Sequence, residues 1–212
     1  MTTTIKYTNS DGVLVSLEQS ERLKFYNKET YNNGLLKKIE KFAPKNRDSD
    51  ETSLKSLEYY LDTDEVFEDI VNQYITTVKY LYIYYDMITN TNGDVYYEYV
   101  LYTDGNIDFK RRKVVNSEGL LLAICLIDLN TSEIKKQAKY FYGDLSIYKR
   151  VNCEDPFLVI SYENDEVSTL YIYDNDYTLS EFLSSDISNV FIWNDYPYYH
   201  NFLPMLPEDM TV

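Results

Sequence analysis

Carboxylates are the side chains of this sequence whose spacing suits catalysis, and they crowd toward one end of the chain. Glu154-Asp155, Glu163 with Asp165 and Glu166, and Asp174 with Asp176 form pairs of the kind that act as acid and base in glycosidase-like hydrolysis. A chain with 35 acidic residues carries such pairs on any solvated face, so their occurrence alone does not define a reaction. Other chemistries lack parts. The one histidine, His200, stands among aromatics in Tyr198-Tyr199-His200-Asn201-Phe202, and a Ser or Cys nucleophile needs an imidazole base. Neither the GxSxG elbow nor the glycine loops GxGxxG and GxxxxGK[ST] occur. Cys125 and Cys153 are distant and, with one histidine, do not make up a zinc set. Asp174-Asn175-Asp176 opens like a calcium loop, but Leu179 stands at the glycine position and Ser185 at the final glutamate. The expectation is a protein with no catalytic residues, no metal and no cofactor.

The same carboxylates read better as a binding surface. Residues 151–212 hold twelve acidic side chains and no Lys or Arg, whereas residues 1–55 sum to +2 and residues 56–150 to −5. A one-sided negative field attracts cationic surfaces and repels nucleic acid. Seven tyrosines lie in the same stretch, and tyrosine offers apolar area together with a hydroxyl, which interfaces favour. The candidate partner-binding residues are therefore Glu163, Asp165, Glu166, Tyr171, Tyr173, Asp174, Asp176, Tyr177, Asp195, Tyr196, Tyr198 and Tyr199. Their expected partner is a basic protein, with neither nucleic acid nor membrane involved. Lys110-Arg111-Arg112-Lys113 is the one basic run, and in a strand its members point to alternate faces, where the expectation is that they pair with nearby acids or protect a sheet edge.

The elements that must position these residues are mostly strands. Aromatic richness with only six Gly and five Pro favours a β-rich α+β fold, an antiparallel β-meander with one or two short helices. Asp11-Gly12, Asn33-Gly34, Asn92-Gly93, Asp104-Gly105 and Glu118-Gly119 mark the turns, because Asn-Gly and Asp-Gly supply the positive φ of hairpin turns. The strands expected between them cover residues 23–31, 35–42, 78–87, 95–102, 107–115, 120–128 and 134–142. Residues 78–87 have no polar face, as a central strand should. Residues 157–162 and 168–174 form a further pair around 163–166, and Phe191-Ile192-Trp193 reads as a last, inward-packing strand. Asp62 and Glu65 have capping-box spacing before Val66, Ile70, Val71 and Tyr74, which recur at helical period; residues 178–184 make a second short helix. Residues 43–52, charged and with Pro44, are the candidate loop and a possible subdomain boundary within a single β-rich domain spanning 1–212.

Tyr31-Asn32-Asn33-Gly34-Leu35-Leu36-Lys37-Lys38-Ile39-Glu40, with Ser56-Leu57-Glu58-Tyr59-Tyr60 after it, resembles the Y-x-N-G-x-L-K-x units of bacterial β-meander proteins of the MORN-variant kind. The resemblance covers the first third of the chain, without the repeated glycines of the MORN pattern. It implies an antitoxin or immunity role. Together with the acidic end, the expectation is a cytoplasmic immunity protein that occludes the basic active site of a cognate toxin. A phage or mobile-element inhibitor that imitates the charge of DNA is the alternative, and a structural adaptor a third. The amino terminus shows no basic region followed by an apolar run, so no secretory signal is expected.

Overall fold

The structure is a computed structural model that describes residues 2–47, 49–142, 156–172, 175–189 and 191–207. Its strands are β1 (Thr3–Asn9), β2 (Leu14–Val15), β3 (Tyr26–Asn32), β4 (Leu35–Pro44), β5 (Thr52–Tyr60), β6 (Tyr80–Thr89), β7 (Val95–Thr103), β8 (Asn106–Val115), β9 (Leu121–Ile127), β10 (Ile134–Phe141), β11 (Leu158–Glu163), β12 (Glu166–Ile172) and β13 (Asn175–Tyr177). Three short helices join them: α1 (Leu17–Ser20), α2 (Phe67–Tyr74) and α3 (Leu179–Leu183). The protein is mainly β, and from β3 to β13 the strands are hydrogen-bonded in chain order, with β1 between β3 and β2. No helix among the described residues is long and apolar enough to cross a membrane.

The expected hairpins form where the turn residues place them. Asn33 and Gly34 take φ of 50° and 85° between β3 and β4, and Asp104 and Gly105 take 47° and 82° between β7 and β8. One step departs from the antiparallel meander. β5 and β6 run parallel, with Leu57 opposite Leu81 and Tyr59 opposite Ile83. Parallel neighbours need a crossover rather than a hairpin, and residues 61–79, which contain α2 and neither Gly nor Pro, supply it.

Contacts divide the chain into two compact units, residues 1–85 with 99–110, and residues 86–98 with 111–212. The core of the first unit is Leu57, Tyr59, Ile70, Val78, Leu81 and Ile83, closed by Phe67, Val71 and Tyr74 of α2. On the opposite side of β6, Tyr84 stacks on Tyr60 (4.8 Å between centroids, planes 10° apart) and on Tyr99 (5.1 Å, 22°). Both faces of residues 80–85 therefore pack, while Asp86 and Met87 at the end of the expected strand are exposed.

The Asp62/Glu65 spacing has a different use from the one expected. Glu65 accepts from the Asp62 N–H at 2.9 Å, as a capping box requires, but α2 begins after Val66, which makes no side-chain cap. Asp62 and Glu65 instead hold the buried Lys37, whose ammonium also donates to Tyr60 O at 2.9 Å and lies 4.7 Å from the centre of the Tyr59 ring. Burial pushes the Glu65 carboxyl up, but hydrogen bonds from the Asp62 N–H, Lys37 and Tyr59 outweigh it and hold Glu65 below the usual glutamate range. A depressed carboxyl contributes stability that is complete above its unfolded value, about 4.3, and is lost as pH falls through its folded value. The protection of the α2 amides, measured against their intrinsic exchange rates, should therefore fall selectively below about pH 4, and Glu65→Gln should remove that pH dependence.

In the second unit, Leu158, Ile160, Leu170 and Ile172 of β11 and β12 pack with Ala123 and Cys125 of β9. Phe182 of α3 and Phe191, Tyr199, Phe202 and Met205 of the carboxy-terminal segment complete that core. Thr178 caps α3 through a full capping box with Glu181, as expected for residues 178–184. A matching box, Ser16 with Gln19, starts α1, a helix that the same S/T-x-x-E/Q rule would have found. Phe191-Ile192-Trp193 is not a strand. Asp195 N–H bonds Ile192 O and Tyr196 N–H bonds Trp193 O, so the chain turns there in a 3-10 helix, Trp193–Asp195, instead of pairing.

Candidate functional site

The acidic residues converge most closely on the hairpin of β11 and β12. Asn164 and Asp165 at its tip have φ of 52° and 71°, which Asn and Asp tolerate better than other side chains. That tight turn sets Glu163 directly opposite Glu166, and both are exposed. Like charges facing each other across an antiparallel pair repel. No Lys or Arg among the described residues forms an ion pair with either. Several acids elsewhere are matched: Glu40 with Lys28 at 3.0 Å, Glu58 with Lys41 at 2.5 Å, Glu98 with Arg112 at 2.7 Å and Asp128 with Lys135 at 2.6 Å. Arg112 of the basic run pairs with Glu98, and Lys110 and Lys113 lie over the rings of Tyr85 and Tyr97.

Beside the hairpin lies a polar groove of about 600 Å³, bordered by Glu133, Lys135, Lys136, Gln137, Glu163 and Ser168. A β-bulge between Lys135 and Ala138 shapes it, with Lys136 at φ 49°. Within it the side-chain oxygen of Gln137 is buried with no hydrogen-bond partner among the described residues. Across β12 and β13, Tyr171 stands opposite Asp176 and both are exposed, Tyr171 by 43%.

The remaining candidates separate into three groups. Asp165 is half-buried and engaged: its Oδ1 accepts from Leu203 N–H at 2.7 Å and its carbonyl from Phe202 N–H, while Glu166 bridges to Asn201. Asp195 is exposed in its 3-10 turn, and Tyr173 and Asp174 lie outside the described residues. The other tyrosines point inward. Tyr177 packs on the core, Tyr196 stacks on Phe191 at 4.6 Å, and the buried Tyr199 donates to Tyr140 O at 3.2 Å. Tyr198 donates to Met205 O at 2.5 Å. Tyr198 and Tyr199 bury their hydroxyls on backbone carbonyls, which is how a tyrosine-rich core satisfies its polar atoms.

Sequence reasoning missed the most constrained side chain of this unit, Lys139 of β10. It is fully buried, and its ammonium donates to the carbonyls of Tyr198 (2.6 Å), Asn201 (3.0 Å) and Pro204 (3.0 Å) while lying 3.6 Å from the centre of the Tyr198 ring. Burial pulls this lysine down to about 7, opposed by the negative charge of Asp165. The bulge at Lys136 shifts the alternation of β10 and leaves Lys139 on the inner face, and no bulge is visible in Ile134-Lys135-Lys136-Gln137-Ala138-Lys139.

His200 is structural: it stacks on Trp193 at 4.8 Å and its Nε2 lies 2.9 Å from Trp193 O. Cys125 is buried beside Met205, and burial pushes its thiol up to about 11; Cys153 lies outside the described residues. Among the described residues, no group of three or more His, Cys, Asp or Glu side chains is arranged to hold a metal ion. Comparison with protein-family models, curated proteins and solved structures finds no match.

Proposed function

We propose that this chain is a protein-binding module that receives a basic protein partner on the β11–β13 end of its second unit, and that its role is that of an immunity protein. The observation that carries the reading is the facing pair Glu163 and Glu166, exposed, mutually repelling and without a cation of its own among the described residues. A lysine or arginine from a partner would relieve that repulsion and add charge-assisted hydrogen bonds. Tyr171 and Asp176 supply an aromatic contact and a further charge on the neighbouring strands. A cognate toxin that acts on nucleic acid or nucleotides fits as the partner, since its active site is cationic and complementary fields speed association. The resemblance of residues 31–40 and 56–60 to MORN-variant immunity proteins supports the same reading, and a cytoplasmic, bacterial setting belongs to it.

Co-purification of the tagged chain at low and high salt tests this directly. The expected result is a single basic partner that is lost at high salt. Glu163→Gln/Glu166→Gln/Asp176→Asn should weaken its binding by roughly tenfold at low salt, at about 0.5 kcal/mol per rim charge, and flatten the salt dependence. Unchanged affinity of the triple variant at low salt would overturn the proposed site.

A further inference from the structure

The first unit ends in a strand edge whose hydrogen-bonding groups are half used. The Asn9 N–H bonds Val13 O at 3.0 Å, so Asn9 faces β2. Thr2 O accepts from Asn33 N–H at 2.8 Å, so Thr2 faces the β3 side. β1 pairs with β3 without a bulge from Thr3–Asn32 to Asn9–Tyr26, and in an antiparallel strand both polar groups of a residue point to one side, alternating along the chain. Thr3, Ile5, Tyr7 and Asn9 therefore present their N–H and C=O groups away from β3. β2 covers the Tyr7 and Asn9 end, with Tyr7 opposite Val15. Among the described residues, no strand pairs with Thr3 or Ile5 on that side.

The edge is also apolar. Ile5 is 48% exposed, and Val13, Leu14 and Leu17 around β2 and α1 are each more than half exposed. Natural sheets shorten, charge or cover their edges, and an edge left open and flanked by apolar side chains is a pairing site.

We infer that the open edge of β1 pairs with β1 of a second copy of this chain, giving a twofold dimer. An axis through Thr4 sets Thr3 of one copy against Ile5 of the other. These two pairs exchange four backbone hydrogen bonds, and the contact is isologous, as a twofold requires. Charge selects this part of the chain for self-association. Two copies with a net charge of −15 repel, most of all through residues 151–212, whereas residues 1–55 sum to only +2. The strand is self-complementary here, and the acidic end is left free for other partners.

Sedimentation of the full chain over a wide concentration range tests the inference. The wild type should pass from monomer to dimer as concentration rises. Thr3→Pro and Ile5→Pro each delete only an outward N–H, leave the β1–β3 ladder complete and suit extended backbone; each should raise the dimer dissociation constant by at least about tenfold with unchanged circular dichroism. Lys6→Pro, which removes a bond to β3, should alter the fold signal and serves as the contrast. A wild type that stays monomeric at every concentration, or a dimer indifferent to both outward prolines, would overturn the inference.

Discussion

Lys139→Met is expected to lower the unfolding free energy of the second unit by about 3–5 kcal/mol in urea titrations, although methionine fills nearly the same volume. The lysine donates to the carbonyls of Tyr198, Asn201 and Pro204, and no other donor among the described residues reaches them. Each buried carbonyl left without a donor costs about 1–3 kcal/mol, and relaxation toward water recovers part of the sum. The ammonium also ties three points of the carboxy-terminal segment to one strand, so its removal should expose residues 198–205 to proteolysis before the rest of the unit. The difference between wild type and variant should depend on pH, with a definite sign. Burial sets the folded lysine at about 7, below its unfolded value of about 10.4. Between these values the unfolded chain binds more protons, so wild-type stability rises with pH through this window while the methionine variant lacks that contribution. A difference that stays constant from pH 7 to pH 10 would mean that the three carbonyls keep the proton on Lys139 throughout.

The contrast between Lys139 and the hairpins shows where local sequence ends as a guide. Asn33-Gly34 and Asp104-Gly105 specify their turns through two residues each, because positive φ is a property of the residue type. The facing of Glu163 and Glu166 was not legible in the same way: residues 163–166 read as the connection between two strands, and it is the two-residue turn Asn164-Asp165 that extends both strands and sets the two acids opposite. The parallel step from β5 to β6 is not a local property. What marks it in the chain is the missing turn signal between residues 61 and 79, which was compatible with a helix between antiparallel strands as well. Lys139 lay further out of reach, since its burial depends on a bulge three residues away and on carbonyls about sixty residues along the chain. The carboxy-terminal tyrosines were ambiguous for a related reason. An aromatic ring followed by prolines suits both a contact patch and a core cap, and only the presence of Leu158, Ile160 and Leu170 beneath them decides between the two.

Phe191→Ala is expected to cost about 3–5 kcal/mol, as large as any single change in the second unit, whereas Ile192→Ala should change stability by no more than about 0.5 kcal/mol. Phe191 is fully buried and its ring is the hub of an aromatic cluster: Tyr196 stacks on it at 4.6 Å, Phe141 meets it edge-on at 4.7 Å, and Tyr199 and Phe182 approach at 5.7 and 6.1 Å. Removing it forfeits the transfer free energy of the ring and leaves a cavity among side chains that are themselves rigid and cannot collapse into the space. Ile192 points outward, 53% exposed, and has little to lose. The lone Trp193 lies 6.0 Å from Phe191, so its fluorescence reports directly on the loosening. The same experiment bears on the proposed binding surface. Tyr196→Ala should follow Phe191→Ala in lowering stability, because its ring is a core element, while Tyr171→Ala should leave the urea midpoint nearly unchanged and act on partner affinity instead. Equal losses of stability at Tyr171 and Tyr196 would mean that β12 depends on its outer face as much as on its inner one, and the acidic end would then be part of the scaffold rather than a surface held ready for a partner.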